Sequence, residues 1–136
     1  MKGLVIGVDF DGTMVKHKYP EIGEPLEGAV ETVLRLQEAG HKIILYTMRS
    51  HLCKAEDPVD RLQQAIDYME ENGIELYGVN QNPTQKYWTT SPKAFCHLFI
   101  DDASLGIPLE YEETGRPFVD WTEVEELLEE RGFLDG

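Results

Sequence analysis

The sequence predicts a single α/β domain in which a parallel sheet carries helices on both faces, a three-layer, Rossmann-like, doubly wound arrangement. Two observations lead there. Short apolar runs rich in β-branched residues alternate with longer stretches whose apolar residues recur at helical spacing. Polar residues, most of them carboxylates, stand directly after three of the apolar runs, where strands of a parallel sheet end. The 136 residues suit one domain over 1–136 and leave no room for a second.

The elements follow in order. Leu4-Val5-Ile6-Gly7-Val8 suits a strand buried on both faces, and it ends at Asp9. From Glu27 to Ala39 the residues Val30, Val33 and Leu34 mark a helix face, with Gly40 as its stop. Lys42 to Tyr46 reads as a second strand, closed by Thr47-Met48-Arg49-Ser50. Pro58 takes the first turn of a second helix with Val59, Leu62, Ile66 and Met69 on one side and Gly73 at its end. A weaker strand spans Leu76 to Val79. Ser91-Pro92 reads as the N-cap and first position of a short helix leading into a fourth strand, Leu98-Phe99-Ile100, which stops at Asp101-Asp102. Asp120 and Glu123 form a capping-box-like pair that opens a last helix through Arg131, with Gly132 as its stop.

Composition excludes several classes of protein. With 41% hydrophobic and 28% charged residues the chain is too apolar for disorder. The apolar run before Asp9 is too short for a signal peptide or a membrane span, so a cytoplasmic protein with no membrane partner is expected. Cys53 and Cys96 lack a C-x-x-C pattern and are read as thiols. A net charge of −14, from 26 acidic and 12 basic residues, repels polyanions and argues against general nucleic-acid binding. Ten of the carboxylates lie between Glu110 and Gly136, beside only Arg116 and Arg131. Lys16, Lys18, Arg49, Lys54, Lys86 and Lys93 fall instead in or beside loops of one face.

Ligands of parallel α/β sheets bind beyond the carboxyl ends of the strands. Asp9 and Asp11 from the first strand, Thr47 and Arg49 from the second, and Asp101 and Asp102 from the fourth meet there. Four converging carboxylates repel one another unless a cation lies between them, and an all-oxygen ligand set with open positions suits Mg²⁺.

Asp9-Phe10-Asp11-Gly12-Thr13 after a buried strand resembles the first motif of the haloacid-dehalogenase superfamily of phosphohydrolases. Thr47 is similar to its second motif, Lys93 to its third, and the apolar run into Asp101-Asp102 to its fourth. The resemblance spans Val5 to about Ala103, and the acidic stretch after Pro108 adds nothing to it. It implies an Mg²⁺-dependent phosphatase cleaving a phosphate monoester through an aspartyl-phosphate. Asp9 is then the nucleophile, and Asp11 the acid and base. One Asp9 oxygen, the Asp11 backbone carbonyl and a fourth-strand aspartate would hold the metal. Where that motif has glycine then aspartate, Asp102 aligns with the ligand and Asp101 stands behind it, and side-chain alternation allows one of them to face the ion. Gly12 would turn the chain and offer backbone N–H groups to the phosphate, Thr47 a hydroxyl, and Lys93, in the first turn of its helix, a positive charge. Lys86 lies in a loop that fixes no direction for it.

Simpler readings stand beside these. Asp-x-Asp-Gly also occurs as a plain turn, and Thr47 could merely bridge backbone groups at a strand end. Arg49 either touches substrate or pairs with a surface carboxylate. His17, His51 and Cys53 lack metal-ligand spacing and read as solvated loop residues, His97 and Cys96 as structural, and Tyr87 and Trp88 as packed or stacked on a substrate ring. A phospho-accepting receiver or a non-catalytic binding module are the rival functions. Relatives insert cap domains at Thr13 to Glu27 and Val79 to Ser91, and both are too short here to fold as one. The expected open site suits a phosphate on a macromolecule, or a small phosphoester covered by the neighbouring subunit of a homo-oligomer.

Overall fold

The computed structural model describes residues 3–136. Strands β1 (Val5–Val8), β2 (Lys42–Leu45), β3 (Leu76–Val79) and β4 (Leu98–Ile100) form one parallel sheet in the order β3-β2-β1-β4. Helices α1 (Ala29–Glu38), α2 (Arg61–Glu71) and α3 (Trp121–Glu130) accompany it. A small antiparallel hairpin, β5 (Leu109–Glu110) and β6 (Phe118–Val119), precedes α3. Its strands are too short to leave a periodic signal, and the sequence does not announce them.

Register decides which side chains share a face. Ile6 stands opposite Ile43 and Leu98, and Val8 opposite Leu45 and Ile100. Ile6, Val8, Ile43, Leu45 and Ile100 join Val33 and Leu36 of α1, Leu62 and Met69 of α2, and Trp121 and Val124 of α3 in a single buried cluster. Gly7, Ile44 and Phe99 point the other way. There little room is left: a Cβ at Gly7 would stand 2.9 Å from a ring carbon of Phe99 on β4 and 3.1 Å from the sulfur of Cys96 in the crossover between β3 and β4.

The helix expected at Ser91-Pro92 does not form. Only residues 93–97 separate Pro92 from β4, fewer than two helical turns, and a helix that short gains too few hydrogen bonds to offset its nucleation. The crossover consists instead of a single 3₁₀ turn, Gln85–Tyr87, and irregular chain. The buried Gln85 side chain pairs the backbone that a helix would have paired. It donates to the carbonyls of Ser91 (3.0 Å) and Lys93 (2.7 Å) and accepts from the N–H of Phe95 (2.7 Å). Among the described residues, no α-helix therefore covers the Gly7 face, and the expected helices on both faces are corrected to that extent.

Helix α2 also begins later than expected. Asp60, not Pro58, opens it by accepting the Gln63 N–H at 2.9 Å, and Val59 stays outside the core. Asp120 caps α3 as its sequence suggests, accepting the Glu123 N–H at 3.3 Å. All three helices stop at their glycines, where the following N–H reaches back across the last turn: His41 to Leu36, Ile74 to Met69 and Phe133 to Leu128.

Gln85→Ala should strand two carbonyls and an N–H in the crossover and lower stability by about 2 kcal/mol. Urea unfolding measures this, and an unchanged midpoint at constant slope would show that the crossover does not depend on that side chain.

Candidate active site

The strand order reverses between β1 and β4. The chain steps outward from β1 through β2 to β3, then returns to the far side of β1. Loops leaving the carboxyl ends of β1 and β4 diverge, and the space between them is where parallel sheets bind ligands. An open cavity of about 520 Å³ lies there, the size of a small-molecule site. Asp9, Asp11, Thr47, Arg49, Asp101 and Asp102 line it, with His17, Tyr19, Met48 and Arg116 at its walls.

Asp9, Asp101 and Asp102 each place a carboxylate oxygen within 4.8 Å of the other two, a set able to hold a metal ion. Thr13, wholly buried, ties the two strand ends together. Its hydroxyl donates to Asp9 Oδ2 at 2.9 Å, and the same oxygen accepts the Asp102 N–H at 3.1 Å. Asp101 accepts the Ala103 N–H at 2.9 Å, and His17 Nε2 stands 2.8 Å from Asp102 Oδ2. Burial, the charge of Asp101 and a hydrogen bond with Asp102 push the Asp9 carboxyl up to about 8. Burial and Asp102 likewise raise Asp101. Carboxyls shifted this way are short of positive charge, and an oxygen-only cluster is the donor set that Mg²⁺ takes. Both fourth-strand aspartates join the cluster, because they stand past the end of β4, where side-chain alternation no longer separates them.

Asp11 is differently placed. Arg49 grips both its oxygens, Nε to Oδ2 and Nη2 to Oδ1, each at 2.8 Å. The other guanidinium hydrogens go to the carbonyls of Pro20 (3.0 Å), Arg61 (3.3 Å) and Glu21 (2.8 Å). With five acceptors for five N–H groups and 2% exposure, Arg49 has nothing left to give a substrate. Its partner is a carboxylate of the cavity rather than of the surface.

Thr47 lines the cavity beside these groups. Its oxygen accepts the Arg49 N–H at 3.2 Å, which leaves the hydroxyl hydrogen free to donate, and its own N–H goes to the Asn80 side chain at 2.8 Å. Of the two tasks expected of Gly12, turning the chain and offering an N–H, its own N–H does not take up the second. Its N–H is taken by the Val15 carbonyl at 2.7 Å, so it cannot serve a phosphate. Its φ of +82° favours glycine, and a Cβ there would run into the His17 ring and the Asp102 carboxylate.

Lys93 does not line the cavity. Without the expected helix its side chain has no first turn to aim it, and it lies exposed in the crossover. Lys86 lines a separate polar cavity of about 430 Å³ with Asn82, Gln85, Thr89 and Ser91. His51 pairs with Asp60 and Cys53 is exposed, neither touching the carboxylates.

Four participants give no clear signal in the sequence. Thr13 stands inside the Asp9–Thr13 motif without an evident role. His17 has the look of a solvated loop residue, Asn80 carries no mark, and Arg116 sits in an acidic stretch. The segment after Pro108 is in fact docked on the turn: the Val119 N–H donates to the Gly12 carbonyl at 2.9 Å, and the Trp121 indole donates to the Thr13 carbonyl.

No protein-family model matches the chain, and no curated protein matches it. Among solved structures it is similar to a conserved protein from Bacteroides thetaiotaomicron, at 35% sequence identity over 96% of this chain and 93% of that one, with a TM-score of 0.74. No described helix is long and apolar enough to cross a membrane.

The raised carboxyls have a consequence for stability. A carboxyl that holds its proton up to about 8 when folded, against an ordinary value of 3.8, binds more protons in the native than in the unfolded chain between those values. In metal-free protein the melting temperature should therefore fall as pH rises through that window. Asp57 and Asp60, lowered by Arg61 and by the Gln63 N–H respectively, act in the opposite direction but at lower pH. Mg²⁺ should flatten the fall by supplying the missing charge. Thermal melts across pH, with and without Mg²⁺, test both, and a melting temperature that rises over that range without metal would contradict the assignment.

Proposed function

The chain belongs to the family of the conserved Bacteroides thetaiotaomicron protein, and we propose that it is an Mg²⁺-dependent phosphohydrolase of the haloacid-dehalogenase type, acting on a phosphate monoester through Asp9. The observation that carries this reading is the Asp9, Asp101 and Asp102 cluster at the strand reversal, with the Thr47 hydroxyl beside it. We read the fold as a capless, Rossmann-like form whose second face is covered by irregular chain rather than by an α-helix. The strand order supports this, as does the segment between β1 and α1, which holds only isolated bridges at Asp11, Val15 and Pro25. Free cysteines at 53 and 96 suit a reducing, cytoplasmic setting.

Asp9, Asp101 and Asp102 would hold the ion, which supplies charge neutralisation for the phosphoryl oxygens. An Asp9 oxygen attacks phosphorus, the P–O bond to the leaving group breaks, and an aspartyl-phosphate forms. Thr13 holds the other Asp9 oxygen in place during attack. Thr47 donates to a phosphoryl oxygen. Water then attacks the phosphorus, Asp9 departs as a carboxylate, and the water proton needs an acceptor. Asp11 takes that role, as it gives the earlier proton to the leaving alkoxide, once it exchanges the Arg49 guanidinium for its reacting partner. While the guanidinium holds both of its oxygens Asp11 has neither free for a substrate or water proton, so the opening of that pair arms the site.

The same clamp favours one rival. If Asp11 stays on Arg49, nothing activates water, and Asp9 would accept a phosphoryl group and keep it, as a phospho-accepting module does. The lifetime of the aspartyl-phosphate separates the two readings.

Release of phosphate from para-nitrophenyl phosphate should require Mg²⁺ and fall at least about 10³-fold in Asp9→Asn. In Asp11→Asn the aryl leaving group departs without an acid, so a burst of nitrophenol should precede a steady rate lowered about 10²- to 10⁴-fold. Wild-type turnover in Asp9→Asn would end the phosphohydrolase reading, and a phosphoenzyme stable for hours in the unmutated protein would replace it with the rival.

A further inference from the structure

A phosphate monoester enters this cavity as a dianion and meets three carboxylates on its floor. Metal binding accounts for part of the opposing charge, and the cavity wall must supply the rest. Two arginines line it. Arg49 is occupied when substrate arrives, since all five of its N–H groups have acceptors while it holds Asp11. His17 is committed to Asp102. Lys93, the cation expected from the sequence, lies outside the lining. Arg116 remains, and no hydrogen bond or ion pair joins its side chain to any described residue.

Arg116 is exposed, in the loop between β5 and β6, but the chain on either side of it is anchored. The hairpin that carries it is fastened on both sides to the catalytic turn. Phe118 and Val119 are buried, and the Val119 N–H bonds the Gly12 carbonyl at 2.9 Å. On the approach side, Lys16 Nζ lies 3.1 Å from both carboxylate oxygens of Glu112 and stands over the Phe118 ring at 5.3 Å. That pair also offsets one of the carboxylates on the hairpin, so the guanidinium is not simply answering its own acidic neighbours. An unpaired arginine on an anchored hairpin beside a carboxylate floor is arranged for an anion that arrives from solution.

We propose that Arg116 is a substrate-binding residue that grips the non-bridging oxygens of a terminal phosphate, in the place the sequence assigns to Lys93. The inference rests on the phosphohydrolase reading and extends the site to the β5–β6 hairpin. A guanidinium presents two parallel N–H groups that match two oxygens of a phosphoryl group. A monoester has three non-bridging oxygens, enough for both parallel donors and a further contact, whereas a diester has only two. Terminal phosphates are thus the favoured substrate class.

The test uses the full chain at saturating Mg²⁺, with para-nitrophenyl phosphate as substrate and inorganic phosphate as competitive inhibitor. Arg116→Ala should raise KM and the phosphate inhibition constant together by about 10- to 100-fold, with a smaller change in kcat. Arg116→Lys should recover part of the loss, because it restores charge but not the paired donors. Arg131→Ala, which removes the same charge at the far end of α3, should leave both constants unchanged. KM and inhibition constants within twofold of wild type in Arg116→Ala would overturn the inference, as would a severe loss in Lys93→Ala beside a normal Arg116→Ala. If the unmutated protein hydrolyses no phosphomonoester, the phosphohydrolase reading fails by itself. Calorimetric titration with inorganic phosphate in Mg²⁺ then decides the present one: binding weakened in Arg116→Ala sustains it, and no binding to the unmutated chain overturns it.

Discussion

Like charges held close together are the constraint around which this molecule is arranged. Three half-buried carboxylates share a space in which one oxygen from each lies within 4.8 Å of the other two, and partial burial thins the water that would screen them. The sheet creates the difficulty by setting β1 beside β4, so that both chains deliver acid at the same end. Thr13 manages it from below, as one hydroxyl that donates to Asp9 and accepts from the backbone of Asp102. The geometry is fixed by neutral hydrogen bonds, and the electrostatic deficit is left for a ligand to fill.

The fourth carboxylate of the motif is kept out of that crowd. Arg49 holds Asp11 in a buried pair, and loop carbonyls from Pro20, Glu21 and Arg61 complete its shell. Burying an ion pair costs desolvation, and the cost is tolerable only when every donor is satisfied, as here. The faces of Phe10 and Tyr19 add cation–π contacts at 5.1 and 5.2 Å. Arg49 thereby joins the loop after β1 to the loop after β2 and to the start of α2. A change at this one side chain would be felt in three segments of chain.

Much of this is legible in the sequence, for reasons that can be named. Strand runs such as Val5–Val8 and Leu98–Ile100 are short and apolar because both their faces are covered, and the residue after each run falls at the ligand end. The stops at Gly40, Gly73 and Gly132 follow from backbone chemistry that tertiary context does not override. The sequence misleads where a distant partner outweighs a local signal. Ser91-Pro92 is a good helix start with too little chain behind it, and Gln85 takes over its hydrogen bonding. Pro58 has the look of a first turn, but Asp60 is the better cap. The acidic stretch after Pro108 resembles a solvated tail because only its apolar punctuation, Phe118, Val119 and Trp121, records that it is packed. No local pattern shows that Arg49 finds Asp11 across 38 positions or His17 finds Asp102 across 85.

The bond from Trp121 to the Thr13 carbonyl spans 108 positions. A ribosome makes the chain from its amino end, so the turn bearing Asp9 and Asp11 emerges long before the hairpin and indole that brace it. The four strands of the parallel sheet and two of the helices can gather while synthesis continues, yet the acidic turn has no Trp121 or Val119 to lean on until that part of the described sequence is free. Closing so long a loop is slow in entropic terms and is repaid only on arrival. A nascent chain therefore carries its acidic turn unbraced until Trp121, 108 positions after Thr13, has been made and freed.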